Sequence, residues 1–204
     1  MGFDVPLTDL IGLGYTDQKK QESNLLERGY KKDAELSNAK RQVFYNPTNE
    51  KLVENIVGSV DLSDVLTDWN LGIGRLEQTD RYKDEKNSIE KAKKKYHPKE
   101  VAITGSSLGG ALAHRISDKN DKVVTLNMPT MPFESVKANT THYRVPGDVV
   151  SLWNTNATHT KTIPKTVEKP WWYTPPKQGN LITWGLEALG SHSSVNLKDS
   201  GIII

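Results

Sequence analysis

Hydrophobic residues in this chain come in short bursts separated by turn-forming or charged stretches. After residue 40, "VFYNP" and "LVENIVGSV" are β-branched and aromatic runs parted by "NPTNEK", which predicts a pair of strands. Residues 79–96, "TDRYKDEKNSIEKAKKKY", carry charge at helical spacing and predict a helix that stops at His97-Pro98, since the residue before proline is pushed out of the helical region. Downstream, "EVAITG" predicts a buried strand, "LGGALAHRIS" a helix, "KVVTLNM" a strand and "THYRVPGDVVSLW" a strand with a loop. Strand, helix and strand in alternation predict a mostly parallel sheet with crossover helices, the α/β class. Residues 16–42 are mostly strong helix formers with sparse apolar positions, which predicts one or two surface helices. "DLSDVLTDW" predicts a short helix or turn, "LITWGLEALG" a late helix, and the tail "GIII" a terminal strand.

Length changes this picture little: 204 residues suit one domain, with residues 1–40 as a helical extension packed on it. Charge excludes more. With 27 basic and 25 acidic residues the net charge is +2, too balanced to predict a nucleic-acid partner. The run Lys91, Lys93, Lys94 and Lys95 reads as a solvated face, because acidic residues precede it at helical spacing and no aromatics interleave it. The absence of cysteine excludes a disulfide framework, a thiolate metal site and a cysteine nucleophile. "MGFDVPLTDLIGLGY" lacks the basic start and continuous apolar core of a signal peptide, and Pro6 stands where myristoylation wants Ser or Thr. No apolar run approaches the ~20 residues of a transmembrane helix. The expectation is a soluble protein.

The stretch "VAITGSSLGGALA" carries the chemistry. A strand that ends in Gly-x-Ser-x-Gly and re-enters as a helix sets its central serine on a sharp, strained bend. Here the frame is Gly105-Ser106-Ser107-Leu108-Gly109, so Ser107 is the candidate nucleophile and the Leu108 amide a candidate oxyanion donor at the positive end of the helix. Gly105 and Gly109 make the bend sterically possible. No Lys-Ser/Thr follows the glycines, so a P-loop is not supported.

A serine hydroxyl needs a histidine to take its proton and a carboxylate to orient that histidine, in the chain order serine, acid, histidine. The downstream acids are Asp118, Asp121, Glu134, Asp148, Glu168, Glu187 and Asp199. Asp148 is the best placed, in the loop after the "THYRV" strand, whereas Asp118 and Asp121 sit at a helix end and read as cap or turn residues. His114 lies on the helix that leaves the serine and His142 precedes the candidate acid, so both read as structural. His159 and His192 remain, and His192, in a glycine-bounded loop, is preferred.

These residues resemble the class 3 lipase family of the α/β-hydrolase superfamily. "ITGSSLGGALA" is similar to the family's nucleophile segment, with Ser106 where histidine is usual, and "IVGSVDLSDVLTDW" is similar to its strand, Gly-Thr turn and Asp-Trp segment, with Val57 where arginine is usual. "GDVVSLW" matches the family's acid loop through Asp148, and "HS" near the C-terminus matches through His192. The resemblance covers roughly residues 40–197 and is strongest to short lipase-like members of the kind encoded by large DNA viruses and phages, which would place the protein in a host cytoplasm or virion. It implies an α/β-hydrolase-like fold and ester hydrolysis through Ser107, His192 and Asp148, with amides of Ser59 and Leu108 at the oxyanion and no metal or organic cofactor.

The substrate side is sparser. "NLGIGRLEQTDRYKDEK" leaves no room for a long amphipathic lid, and Leu71, Ile73 and Trp153 are candidate acyl-pocket residues. In "KPWWYTPPK", Trp171 and Trp172 either cover the core or insert at a lipid interface. Asp61, Asp64 and Asp68 share a helical face but fit no cation loop. Against ester hydrolysis stand a non-catalytic module that binds lipid or protein, motivated by Val57 and Ser106, and a peptidase or thioesterase using the same three residues.

Overall fold

A computed structural model describes residues 2–11, 18–58, 74–130, 134–145, 160–162 and 203–204. Seven strands form one sheet in sequence order: β1 (Lys31–Lys32), β2 (Arg41–Asn46), β3 (Lys51–Ile56), β4 (Glu100–Ser106), β5 (Lys122–Leu126), β6 (Thr140–Arg144) and β7 (Thr160–Thr162). β1, β2 and β3 pair antiparallel, and every pairing from β3 to β7 is parallel. Among the described residues four α-helices accompany them: α1 (Leu7–Ile11), α2 (Gln18–Glu27), α3 (Asp80–Tyr96) and α4 (Leu108–Ile116). This is the α/β arrangement that the alternation of periods predicts, and none of the described helices is long and apolar enough to cross a membrane.

Alternate side chains of each strand serve opposite faces. Phe44, Val53, Ala102, Val124 and Leu126 pack under the N-terminal segment, where Phe3, Val5, Leu7, Leu10 and Leu25 meet them. Val43, Leu52, Val101, Ile103 and Val123 face the other way, onto Ile89 and Ala92 of α3 and Leu112 and Ile116 of α4. Both faces are covered, which is why the centres of these strands, Val43-Phe44, Leu52-Val53, Val101-Ala102-Ile103 and Val123-Val124, read as unbroken apolar stretches rather than as alternation. The predicted terminal strand appears as an antiparallel bridge between Ile203 and Pro6, with the Asp4 amide donating to the Ile204 carbonyl at 2.8 Å.

The helical reading of residues 16–42 holds only for α2. Gly29, at φ 84°, ends the helix, and the Asn46 side-chain amide donates to the Arg28 carbonyl at 3.0 Å. The chain then enters β1 and a turn in which Asp33 Oδ1 accepts from the amides of Glu35 and Leu36. Pairing with β2 overrides the helix propensity of "KKDAEL". α3 runs where predicted, with Thr79 capping the Tyr82 amide and His97 ending the helix. The pre-proline residue is left-handed, at φ 45° and ψ 51°, and not extended.

Two lysines of the run on α3 do more than face solvent. Lys93 Nζ lies 2.8 Å from carboxylate oxygens of both Asp118 and Asp121, and Lys95 Nζ lies 2.8 Å from Asp33 and 3.1 Å from Glu35. Lys93 and Lys95 tie α3 to the loop after α4 and to the turn before β2, while Lys91 and Lys94 are exposed as the solvated-face reading expects.

One carboxyl stands apart. Glu54 lies on the α3 side of β3, fully buried, and neither of its oxygens meets a hydrogen-bond partner among the described residues. Burial pushes its carboxyl well above the ordinary range, and Glu85 pushes the same way while Arg41 and Lys93 oppose. A raised folded value means that the native state holds a proton the unfolded chain releases. Its stability contribution is therefore full below the ordinary carboxyl range and is lost as pH rises toward the folded value. Glu54→Gln is expected to melt a few degrees above the parent at pH 8, with the difference vanishing near pH 4, as followed by thermal unfolding across pH.

Candidate functional site

β4 ends at Ser106 and α4 begins at Leu108, so the whole reversal falls on Ser107. Its backbone sits at φ 52° and ψ −129°, a region that costs a non-glycine residue about 1–3 kcal/mol and persists only where its surroundings enforce it. The enforcement is visible. The Ser107 amide donates to the Leu126 carbonyl at 2.9 Å, and the Ser107 carbonyl accepts from the Ala111 amide at 3.1 Å. The side chain does not cap the helix, and the residue is 4% exposed.

The two glycines of the frame are required by close backbone contact. A Cβ on Gly105 would lie 2.5 Å from the Gly109 carbonyl carbon, and one on Gly109 would lie 2.1 Å from the Ile56 carbonyl oxygen. The first turn of α4 is thereby pressed onto both its own strand and the end of β3. Because α4 starts at Leu108, the amide of that residue sits at the positive end of the helix beside Ser107, the position from which it can donate to an anion.

The carboxyl end of the parallel strands carries a second support that the sequence did not disclose. Asn127, read there as part of a strand through Met128, lies beyond the end of β5 in a left-handed conformation with φ 47°. Its Oδ1 accepts from the Val145 amide at 2.9 Å, and its own amide donates to the Tyr143 carbonyl at 2.8 Å. It thus fixes the exit of β6, immediately before the segment that contains Asp148. An asparagine at a strand end, a residue that tolerates the left-handed region, was the available signal.

The residues set aside as structural are held by the framework. His114 is buried, its Nδ1 3.1 Å from Thr140 Oγ1, and burial together with Lys137 and Arg115 lowers it to about 4, so it stays neutral. His142 Nδ1 lies 2.8 Å from Thr125 Oγ1 on the neighbouring strand. Asp118 and Asp121 engage Lys93, and Glu134 engages Arg115. Ser107, Leu108, Gly105 and Gly109 come together as the spacing predicts. Ser59, Asp148, His159, His192, Asp61, Asp64, Asp68, Leu71, Ile73, Trp153, Trp171 and Trp172 lie outside the described residues. Among the described residues no group of three or more His, Asp or Glu is placed to hold a metal ion.

No protein-family model matches the chain, and no curated protein matches it. Its fold is nevertheless shared with solved lipases. A fungal lipase structure is 17% identical with a TM-score of 0.56, over 81% of this chain and 79% of that one. A triacylglycerol lipase whose catalytic centre is formed by a serine protease triad is 14% identical with a TM-score of 0.53, over 80% and 78%. The Lip2 lipase of Yarrowia lipolytica is 15% identical with a TM-score of 0.50, over 76% and 74%. At these identities the likeness is one of fold, and the fold is the α/β-hydrolase architecture of lipases.

Proposed function

We propose that the protein is a serine acyl hydrolase that cleaves carboxylic esters, of lipid or phospholipid type, through an acyl-enzyme. The observation that carries this reading is the strained Ser107 on the turn between β4 and α4. A serine is held at φ 52° where glycine would sit without strain, and chemistry on its hydroxyl gives a reason for that cost. The lipase architecture around it agrees.

In this mechanism Ser107 Oγ attacks the ester carbonyl carbon while His192 accepts its proton, and Asp148 orients the imidazole and stabilises its charged form. The amides of Ser59 and Leu108 donate to the oxyanion of the tetrahedral intermediate. Collapse expels the alcohol, protonated by His192, and leaves an acyl-serine. Water, deprotonated by the same histidine, releases the acid and restores the hydroxyl. The scheme needs no metal or organic cofactor. We further propose that residues 1–204 act as one unit and that Trp171 and Trp172 contact the lipid interface, rings at headgroup depth.

The test is a fluorophosphonate probe with peptide mapping of the adduct, alongside a graded series of acyl esters, thioesters and a peptide substrate. Labelling at Ser107 with turnover of oxygen esters is expected. A protein that neither labels nor turns over any substrate is a binding module, and labelling at another serine relocates the site. Preference for the thioester or the peptide redirects the substrate class.

A further inference from the structure

We infer that Arg81, on the first turn of α3, is a positioning residue that aims the backbone at the end of β3 toward the Ser107 elbow, an inference that rests on the ester-hydrolase reading above. One guanidinium nitrogen, Nη2, donates to two main-chain carbonyls, those of Val57 at 3.1 Å and Lys40 at 3.0 Å. The Lys40 carbonyl also accepts from the Val57 amide at 2.8 Å. Both the amide and the carbonyl of Val57 are therefore fixed on the β2 side of the strand end.

Peptide planarity settles the rest. The Ile56 carbonyl points opposite to the Val57 amide, and the Gly58 amide points opposite to the Val57 carbonyl. Both leave on the side away from Lys40 and Arg81. That side holds the nucleophile turn: the Ile56 carbonyl oxygen is the atom a Cβ on Gly109 would strike, and Ile56 is the register partner of Gly105. Gripping the Val57 carbonyl thus turns the Gly58 amide to the side of the strand end that holds the Ser107 turn.

The arginine is itself clamped. Its Nε lies 2.5 Å from Oε1 of the fully buried Glu85, one helical turn on, and Oε2 of that carboxylate lies 3.2 Å from Arg41 Nη1. Arg41 is held in turn by Asp84 at 2.6 Å and by the Leu36 carbonyl at 2.8 Å. A solvated surface arginine would be free to leave the Val57 carbonyl, whereas one locked to a buried carboxylate is not. The spread of the guanidinium matters, because its Nε end pairs in charge with the Glu85 carboxylate while Nη2 reaches two carbonyls, a span that a compact lysine ammonium does not cover.

The experiment compares the full-length protein with Arg81→Lys and Arg81→Gln, titrating intact sites with the fluorophosphonate probe so that turnover is counted per reactive serine. With a short-chain ester, kcat per titrated site is expected to fall about 10-fold in Arg81→Lys and about 100-fold in Arg81→Gln with KM nearly unchanged, the pattern of a misaimed oxyanion donor. Lys93→Met removes ion pairs at the far end of α3 and is expected to lower the melting temperature while leaving kcat per site intact. Unchanged kcat per site in both Arg81 variants, with only a lower melting temperature or fewer reactive sites, overturns the positioning role and leaves the hydrolase reading standing. Failure of the parent protein to label or turn over overturns both.

Discussion

Gly109→Ala is expected to destabilise the protein by about 3 kcal/mol or more, lowering its melting temperature by about 10 °C, the scale of backbone overpacking in a domain of this size. The added carbon would sit 2.1 Å from the Ile56 carbonyl oxygen and 2.9 Å from the carbonyl carbons of Ile56 and Val57. All three atoms are main chain at the end of a strand paired on both edges, so no side chain can swing away to make room. Gly105→Ala should behave alike, with its new contacts at 2.5 and 2.6 Å to the Gly109 carbonyl. Gly110→Ala is the contrast. Its nearest atoms are 3.1 to 3.2 Å away and two of them are side-chain carbons, so its loss should be much smaller. Urea unfolding of the three variants gives the ranking, and a Gly109→Ala midpoint equal to that of the parent would contradict the close approach of α4 to β3.

Ser107→Ala is expected to reduce ester turnover by about 10⁴-fold or more, as loss of a nucleophile does in serine hydrolases. Stability separates the catalytic account from a purely structural one. Alanine at φ 52° is as strained as serine, so Ser107→Ala should melt close to the parent. Glycine adopts that backbone freely, so Ser107→Gly should be more stable by about 1 kcal/mol while equally inactive. A protein that gains stability by losing its serine keeps that serine for its chemistry. Ser107→Ala with undiminished turnover would remove the hydroxyl from the mechanism.

Much of the framework was legible because both faces of the sheet are covered. β4 and β5 announce themselves as apolar runs, and the glycine spacing around Ser107 marks the place where β4 passes into α4 without a loop. The sequence misled where tertiary pairing overrode local preference: Lys31–Lys32 lie in good helix-forming company yet join the sheet through Phe44 and Tyr45. It was silent about Arg81 and marked Asn127 by residue type alone, because a polar side chain that holds a distant carbonyl or amide leaves no periodic trace. The lysines of α3 show the same blindness, since partners such as Asp33 and Asp118 lie far along the chain. Asp148 and His192 rest on chain order and resemblance, as proposals.

The sheet's strand order, β1 through β7 without a skip, bears on how the molecule is made. Among the described strands each docks on an edge that the preceding one has just completed, so this sheet can be laid down from β1 to β7 in the order of synthesis, with only the Pro6–Ile203 bridge waiting for the end of the chain. The seat of Ser107 is framed by β3 on one side and β5 on the other. That cradle can close while everything beyond β6 is still being translated, leaving the later residues to be added around a finished elbow.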